Sequence, residues 1–282
     1  MRPGALKLLL RALRSPRVKS RGVLCGKRID NIAHDQPYRQ WVQTDLRSFR
    51  LRLEQSDLLI SAERDLTDSA RQALSRARAE LESYIKRDPV FATTLAPHDP
   101  RLDAPAIALE MAVAARRCGV GPMAAVAGAV AQYVGIALLA ESPQVIVENG
   151  GDIFLHTAQP RVAAIYAGKS PLSGRVGVKV NLLNRPVGLC TSSGVVGPSL
   201  SFGRADAAVV LADSAYLADA AATALGNRVT EPADIEPALQ FVSTLPGLHG
   251  ALVILAHHLG AWGEIELVKV EPTDPGRDWP SR

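Results

Sequence analysis

Cysteine is scarce in this chain of 282 residues: Cys25, Cys118 and Cys190 are far apart and odd in number. No CxxC pair occurs, so no disulfide framework is encoded, and the expected setting is reducing and cytoplasmic. Aromatics make up only 5 %, while hydrophobic residues reach 47 %. That apolar mass is mostly Ala, Val and Leu, which suits close helix packing and buried strands rather than an aromatic ligand cage. No apolar run reaches the roughly 18 residues that a membrane span requires. The nearest, 120–140, contains Gln132 and Tyr133 and reads as a buried helix. The six histidines show no HxxxH or HExxH spacing, and His34, His98, His257 and His258 read as non-ligands. GxxxxGK(S/T) and a strand-linked GxGxxG are missing as well, so the two standard phosphate loops are excluded.

Acidic residues are missing from the first 21 positions, which hold seven basic ones: Arg2, Lys7, Arg11, Arg14, Arg17, Lys19 and Arg21. The remainder carries 25 basic and 28 acidic residues, so the net charge of +4 belongs to the arm. A mildly acidic body gives no footprint for nucleic acid. Lys7 and Arg11 interrupt the apolar stretch that a secretory signal needs, and export is not expected. The expected organisation is a basic arm over 1–26 (disordered, or a short amphipathic helix), one domain over 27–271 and a loose tail over 272–282.

Periodicity divides the body into an α+β pattern. Phe49–Leu53 alternates with period two, and Asp57–Glu63 reads as its hairpin partner. Thr67 is placed to cap a long helix to Lys86, with Ala70, Leu74, Ala77, Leu81 and Ile85 on one stripe. A loop over 95–104 follows Pro89. Helices are expected over Pro105–Arg117 and Met123–Ala140. The second is so rich in Ala and Gly that another backbone can approach closely, whether within the domain or from a partner subunit. Short strands follow at 145–147, 153–156, 162–166, 176–180, 187–190 and 207–211. Ser214 is placed to cap a helix ending at Gly226-Asn227. A short helix over 234–241 and strands over 251–255 and 265–270 close the pattern.

Three segments carry chemistry. Glu148-Asn149-Gly150-Gly151-Asp152 is a strong hairpin signal. Its glycines also let a ligand approach the backbone, and its two acids exceed what a turn needs. Thr191-Ser192-Ser193-Gly194 ends a strand, where hydroxyls and exposed N–H groups suit a phosphate, although an ordinary polar turn has the same composition. Asp219 and Thr223 lie four apart on a bare Ala helix, so they share a face. They could hold a hard cation such as Mg²⁺. Equally, Thr223 could bond back to a carbonyl one turn earlier while Asp219 is solvated. Cys190 precedes the hydroxyls, but the sequence names no base to activate its thiol.

In this order the segments resemble the ApbE-like superfamily, whose founding members are Mg²⁺-dependent FAD:protein FMN transferases. The resemblance lies in 120–128 (VGPMAAVAG), 147–153 (VENGGDI), 191–194 (TSSG) and 218–224 (ADAAATA), and it covers roughly 37–270. It is similar above all to an uncharacterised cytoplasmic subfamily, which has an aromatic-rich entry like 38–49. The implied fold is ApbE-like: mixed or antiparallel sheets with inserted helices and a central Ala/Gly-rich helix. The implied ligands are Mg²⁺, held by Asp219, Thr223 and a backbone carbonyl near Ala124, and FAD or FMN. The flavin pocket is then lined by Glu148, Asn149, Gly150, Gly151, Asp152, Thr191, Ser192, Ser193 and Gly194. The chain departs from the transferases at Ala125, where they carry Lys. It also departs at 198–206 (PSLSFGRAD), where they carry His-Ile-Ile-Asp-Pro-x-Thr-Gly. Two activities are therefore expected as alternatives: Mg²⁺-assisted FMN transfer or FAD hydrolysis, or non-catalytic binding of a nucleotide or metabolite by an accessory protein in cofactor or sulfur metabolism.

Overall fold

The computed structural model describes residues 44–194 and 202–270. The basic arm, the tail from 272 and the middle of the chain from 195 to 201 lie outside the described residues. The alternating entry forms β1 (Arg47–Leu53), which pairs antiparallel with β2 (Ser56–Ala62), Leu51 opposite Leu58. Helix α1 (Thr67–Arg87) buries Ala70, Leu74, Ala77, Leu81 and Tyr84. Thr67 does not cap it as expected. Leu66 occupies the cap position, and the Asp65 carboxylate accepts from the Thr67 N–H at 3.0 Å and its hydroxyl at 2.6 Å. Pro89 ends α1 but also opens a short helix, α2 (Pro89–Thr93), since proline suits a first helical turn.

Helix α3 (Ala106–Cys118) stops at Gly119, which adopts φ of 71°. The Ala/Gly-rich stretch then splits into a 3₁₀ turn (Pro122–Ala125) and α4 (Val126–Leu138). Five strands follow: β3 (Val145–Asn149), β4 (Asp152–His156), β5 (Arg161–Ala164), β6 (Val176–Val180) and β7 (Val187–Ser192). After β8 (Ala207–Ala212) comes α5 (Ala215–Gly226), then a 3₁₀ turn (Pro232–Asp234) and α6 (Ile235–Ser243). Strands β9 (Leu248–Leu255), β10 (His258–Gly263) and β11 (Glu266–Lys269) complete the described chain.

Eight strands form one antiparallel sheet in the order β1-β2-β3-β4-β7-β8-β9-β10, and β11-β6-β5 form a second. Alternation along the large sheet gives it two apolar faces. One, with Val145, Val147, Phe154, Cys190 and Val210, packs on the helices. The other, with Leu155, Leu189, Val209 and Leu252, packs on Val178 and Val180 of the small sheet. The result is three layers: helices, large sheet, small sheet. No single helix among the described residues is long and apolar enough to cross a membrane.

Small residues set the spacing between layers. A Cβ on Gly135 of α4 would lie 2.1 Å from the Phe154 ring, and one on Gly188 of β7 would lie 2.3 Å from Ala215 Cα. The 95–104 loop is tied down by a polar cluster. Asp88 Oδ2 accepts from the Tyr84 hydroxyl at 2.8 Å and lies 2.9 Å from His98 Nε2. The Arg101 N–H donates to the Tyr84 oxygen at 3.0 Å. Burial pushes the Asp88 carboxyl up, but the hydrogen bonds from His98 and Tyr84 outweigh it and hold the group below its usual range. A lowered folded value stabilises the fold above the ordinary carboxylate range and is lost as pH falls through it. Asp88→Asn is expected to cost about 1–3 kcal/mol at neutral pH. In denaturant titrations its difference from wild type should shrink below about pH 4.

Candidate functional site

Gly150 and Gly151 have φ of 69° and 109°, and Asn149 pairs with Asp152 across the turn. Left-handed backbone at both positions makes this a tight two-residue hairpin between β3 and β4, as the Asn-Gly signal predicts. Strand parity then sorts its side chains. Asn149 follows Val147 onto the helix face, and Asp152 precedes Phe154 on the same face. Glu148 follows Ile146 toward the small sheet. There its Oε1 accepts from the Gly151 N–H at 3.0 Å and braces the turn.

The same parity divides the hydroxyl segment. Strand β7 runs through Ser192, two residues past the expected end. Cys190 and Ser192 face the helices, whereas Thr191 points to the opposite face with Leu189. The Gly194 N–H donates to the Ala205 carbonyl at 2.9 Å, so it is not open to an anion. Of the run Thr191–Gly194, Ser192 is the side chain that meets α5, beside Gly226.

Helix α4 approaches α5 as closely as backbones allow. A Cβ on Gly128 would fall 2.2 Å from the Ala215 carbonyl oxygen and 2.9 Å from Asp219 Cβ. The approach lets Asp219 Oδ2 accept from the Gly128 N–H at 2.9 Å. That amide belongs to the first turn of α4, where N–H groups have no partner within the helix. Two further bonds hold the arrangement. Asn149 Nδ2 donates to the Ala127 carbonyl at 3.1 Å. Gln132 Oε1 accepts from the Ala215 N–H at 2.6 Å at the start of α5, where Ser214 holds the cap position but makes no side-chain cap bond. Ala124 lies in the 3₁₀ turn just before α4, where its N–H donates to the Gly121 carbonyl at 3.0 Å.

Asp152 and Asp219 both lie on the helix side of the large sheet, where the charge of Asp152 acts on Asp219 and the buried Cys190 thiol hydrogen-bonds Asp152. Burial pushes the Asp152 carboxyl up to about 7; the Cys190 thiol and the Thr191 amide oppose the rise, and the Glu148 charge adds to it. Burial also raises Asp219 well above its usual range, and the charge of Asp152 reinforces the shift against the Gly128 and Ala127 amides. Asp152 Oδ1 is buried without any hydrogen-bond partner. Thr223, one turn along α5 from Asp219, is half-buried, and no hydrogen bond to its hydroxyl exists among the described residues. The Cys190 thiol, 3.3 Å from the Ala215 carbonyl oxygen and pushed far up by burial, is not poised as a nucleophile.

The polar groups brought to this face are oxygens: the two carboxylates and, one turn along α5 from Asp219, the Thr223 hydroxyl. Among the described residues no three His, Cys, Asp or Glu side chains converge on a metal-binding cluster. A cation here would take few protein ligands and complete its shell with water and ligand oxygens, which is Mg²⁺ behaviour. Gln132 carried no signal of a role in the sequence beyond being a polar residue in an apolar helix.

The raised Asp152 gives a signed prediction for the protein alone. Between about pH 4 and 7 the folded chain keeps a proton that the unfolded chain has lost, so stability falls as pH rises through that window. Asp152→Asn should lessen the fall, with Asp219 carrying the remainder, making the variant about 2–4 kcal/mol more stable than wild type at pH 8 and nearly equal to it at pH 4. Denaturant midpoints across pH check this.

Comparison with known proteins places the chain. Residues 39–259 match the family model described as "AbpE bacteria". A UPF0280 protein of Methanocella arvoryzae is 44 % identical over 191 residues, covering 67 % of this chain and 78 % of the relative. One from Methanopyrus kandleri is 39 % identical over 244 residues, covering 80 % and 99 %. Among solved structures, a variant of the flavin transferase ApbE from Vibrio cholerae superposes with a TM-score of 0.50 at 12 % identity, covering 78 % of this chain and 97 % of that one. The last likeness shows the fold, α+β and ApbE-like, and the first three show that the chain belongs to the UPF0280 family of ApbE-like proteins.

Proposed function

We propose that this chain binds a flavin nucleotide, FAD or FMN, together with Mg²⁺ between Asp152 and Asp219. The observation that carries the reading is the buried, unpartnered Asp152 Oδ1, with a second, half-buried carboxylate, Asp219, on the same face. Nothing cationic among the described residues acts on either group. Two acids packed this way are costly unless a cation joins them. Asp219 is already oriented by the Gly128 amide through Oδ2, with the Ala127 amide beside it. The Thr223 hydroxyl extends the same oxygen set, and the family resemblance adds a backbone carbonyl near Ala124. The flavin part of the reading rests on the family resemblance and on the flavin transferase that shares the fold.

Bound Mg²⁺ would supply charge neutralisation at the pyrophosphate. The chain's own groups hold the rest in place: the Gly150-Gly151 turn admits a ligand to the backbone, and α4 closes the site against α5. A second reading is phosphoryl chemistry, with water or a protein hydroxyl bonding to the phosphorus of the FMN half and AMP leaving with the bonding electrons. The fold shared with a flavin transferase favours it. Against it stand Ala125, in place of the transferases' lysine, and the absence of their His-Ile-Ile-Asp-Pro-x-Thr-Gly block. Binding without transfer is therefore the first reading.

The test is to titrate the full chain with FAD and FMN, with and without Mg²⁺, and to assay AMP. Mg²⁺-dependent flavin binding is expected, weakened at least tenfold in Asp219→Asn, with Thr223→Val in the same direction. AMP release lost in Asp219→Asn would establish the second reading. Absence of flavin binding in either condition would overturn both.

A further inference from the structure

The outward side of a surface helix is normally polar. Helix α1 follows the rule, with ion pairs such as Arg76 with Glu80 one turn apart. Helix α3 does not. Ile107, Met111, Ala114 and Cys118 lie along its buried side. On the other side Leu109 is 42 % exposed, and Val113, one turn on, is 50 % exposed. At about 100° per residue, Arg116, Leu109, Val113, Ala106, Arg117 and Glu110 fall in that order across an arc of about 120°. The outward stripe is thus apolar along its centre, near Val113, and charged at both margins.

Not all of those charges are paired. Arg116, on one margin, pairs with Asp99. Glu110 and Arg117 share the other margin. Glu110 is half-buried and accepts from the Tyr133 hydroxyl of α4, and no cation among the described residues acts on it. Arg117 is exposed and has no ion pair among the described residues. The two lie seven residues apart, about 10 Å along the axis, too far to pair within the helix. An acid without a cation and a cation without an acid therefore flank one apolar stripe.

A second, antiparallel copy of α3 answers both. A twofold axis through Val113, perpendicular to the helix, sets each margin against the same margin of the second copy. It carries a position before Val113 onto the level of one equally far after it. Glu110, three before, then stands within about 2 Å of the level of the partner's Arg117, four after. Val113 packs on the partner's Val113, and Leu109 on the aliphatic stem of the partner's Arg116. In a parallel pair unlike margins would meet, setting Arg117 beside the partner's Arg116.

We propose that α3 is the seam of a homodimer, in which two copies cross antiparallel at Val113 and each Glu110 pairs with the partner's Arg117. Ile136 of α4, exposed and one turn from Tyr133, widens the apolar face. Charge selects the occupant. A second copy supplies both signs at matching heights, as a self-complementary twofold interface requires. The chain's own basic arm has no acid in its first 21 residues, so it answers Glu110 but not Arg117.

The experiment measures the mass of the full chain by sedimentation equilibrium from about 1 to 100 μM. It compares wild type, Val113→Glu, Glu110→Arg, Arg117→Glu and the Glu110→Arg/Arg117→Glu double variant. Wild type is expected to be dimeric within this range. Val113→Glu should lose about a hundredfold in dimer affinity, because it sets like charges on the axis. Each single charge reversal should lose about tenfold, and the double variant should recover most of that loss. A wild type that is monomeric at about 100 μM overturns the seam. So does a dimer unaltered by either Val113→Glu or Arg117→Glu, or a double variant in which the two losses simply add. Val113 and Arg117 are exposed, so their variants decide the matter even if Glu110→Arg, which loses the Tyr133 bond, lowers the unfolding midpoint.

Discussion

The hydrogen bond from the Gly128 amide to the Asp219 carboxylate holds the site together, and it exists only because α4 and α5 touch backbone to backbone. Any side chain at Gly128 would strike the Ala215 carbonyl. The contact gives one otherwise unsatisfied amide at the start of α4 a partner and fixes one oxygen of Asp219. Asn149 and Gln132 reinforce it from the hairpin and from within α4. A small-residue helix pair here does the work that a cationic side chain does in other acidic sites: it positions a half-buried carboxylate without neutralising it.

The large sheet supplies the second carboxylate by parity alone. Asp152 faces the helices because Phe154 does, and the tight turn at Gly150-Gly151 sets where the strand begins. Being a hairpin and being a site are therefore not competing descriptions of this segment. The turn geometry places Asp152, and the surplus of acid over what the turn requires gives the place a chemistry. Glu148, the other acid, is consumed by the turn itself.

Much of this was legible in the chain. Period-two runs located most strands, and the helical stripe of Ala70, Leu74, Ala77 and Leu81 located α1. Strand β10 escaped because Gly260 and Gly263 break its apolar pattern. Gly260 is there to admit Ile235 of α6, a tertiary reason that no local pattern displays. The cap at Ser214 was misassigned for the same kind of reason: the Ser214 side chain makes no cap bond, and Gln132, distant in sequence, takes the Ala215 amide at the helix start. Continuing the alternation of β7 through Ser192 would have separated Thr191 from Cys190 and Ser192. The loose hydroxyl cluster expected there is instead two faces of one strand. Order along the chain united the three segments; which atoms meet had to come from packing.

A crystal structure of the full chain grown with FAD and Mn²⁺, with anomalous scattering used to locate the metal, tests the central claim most directly. The account predicts an anomalous peak bound by Asp219, with Asp152 facing the same ion directly or through water, and flavin density against the Gly150-Gly151 turn. A flavin elsewhere on the molecule, or a metal-free Asp152–Asp219 pair beside bound flavin, would contradict it.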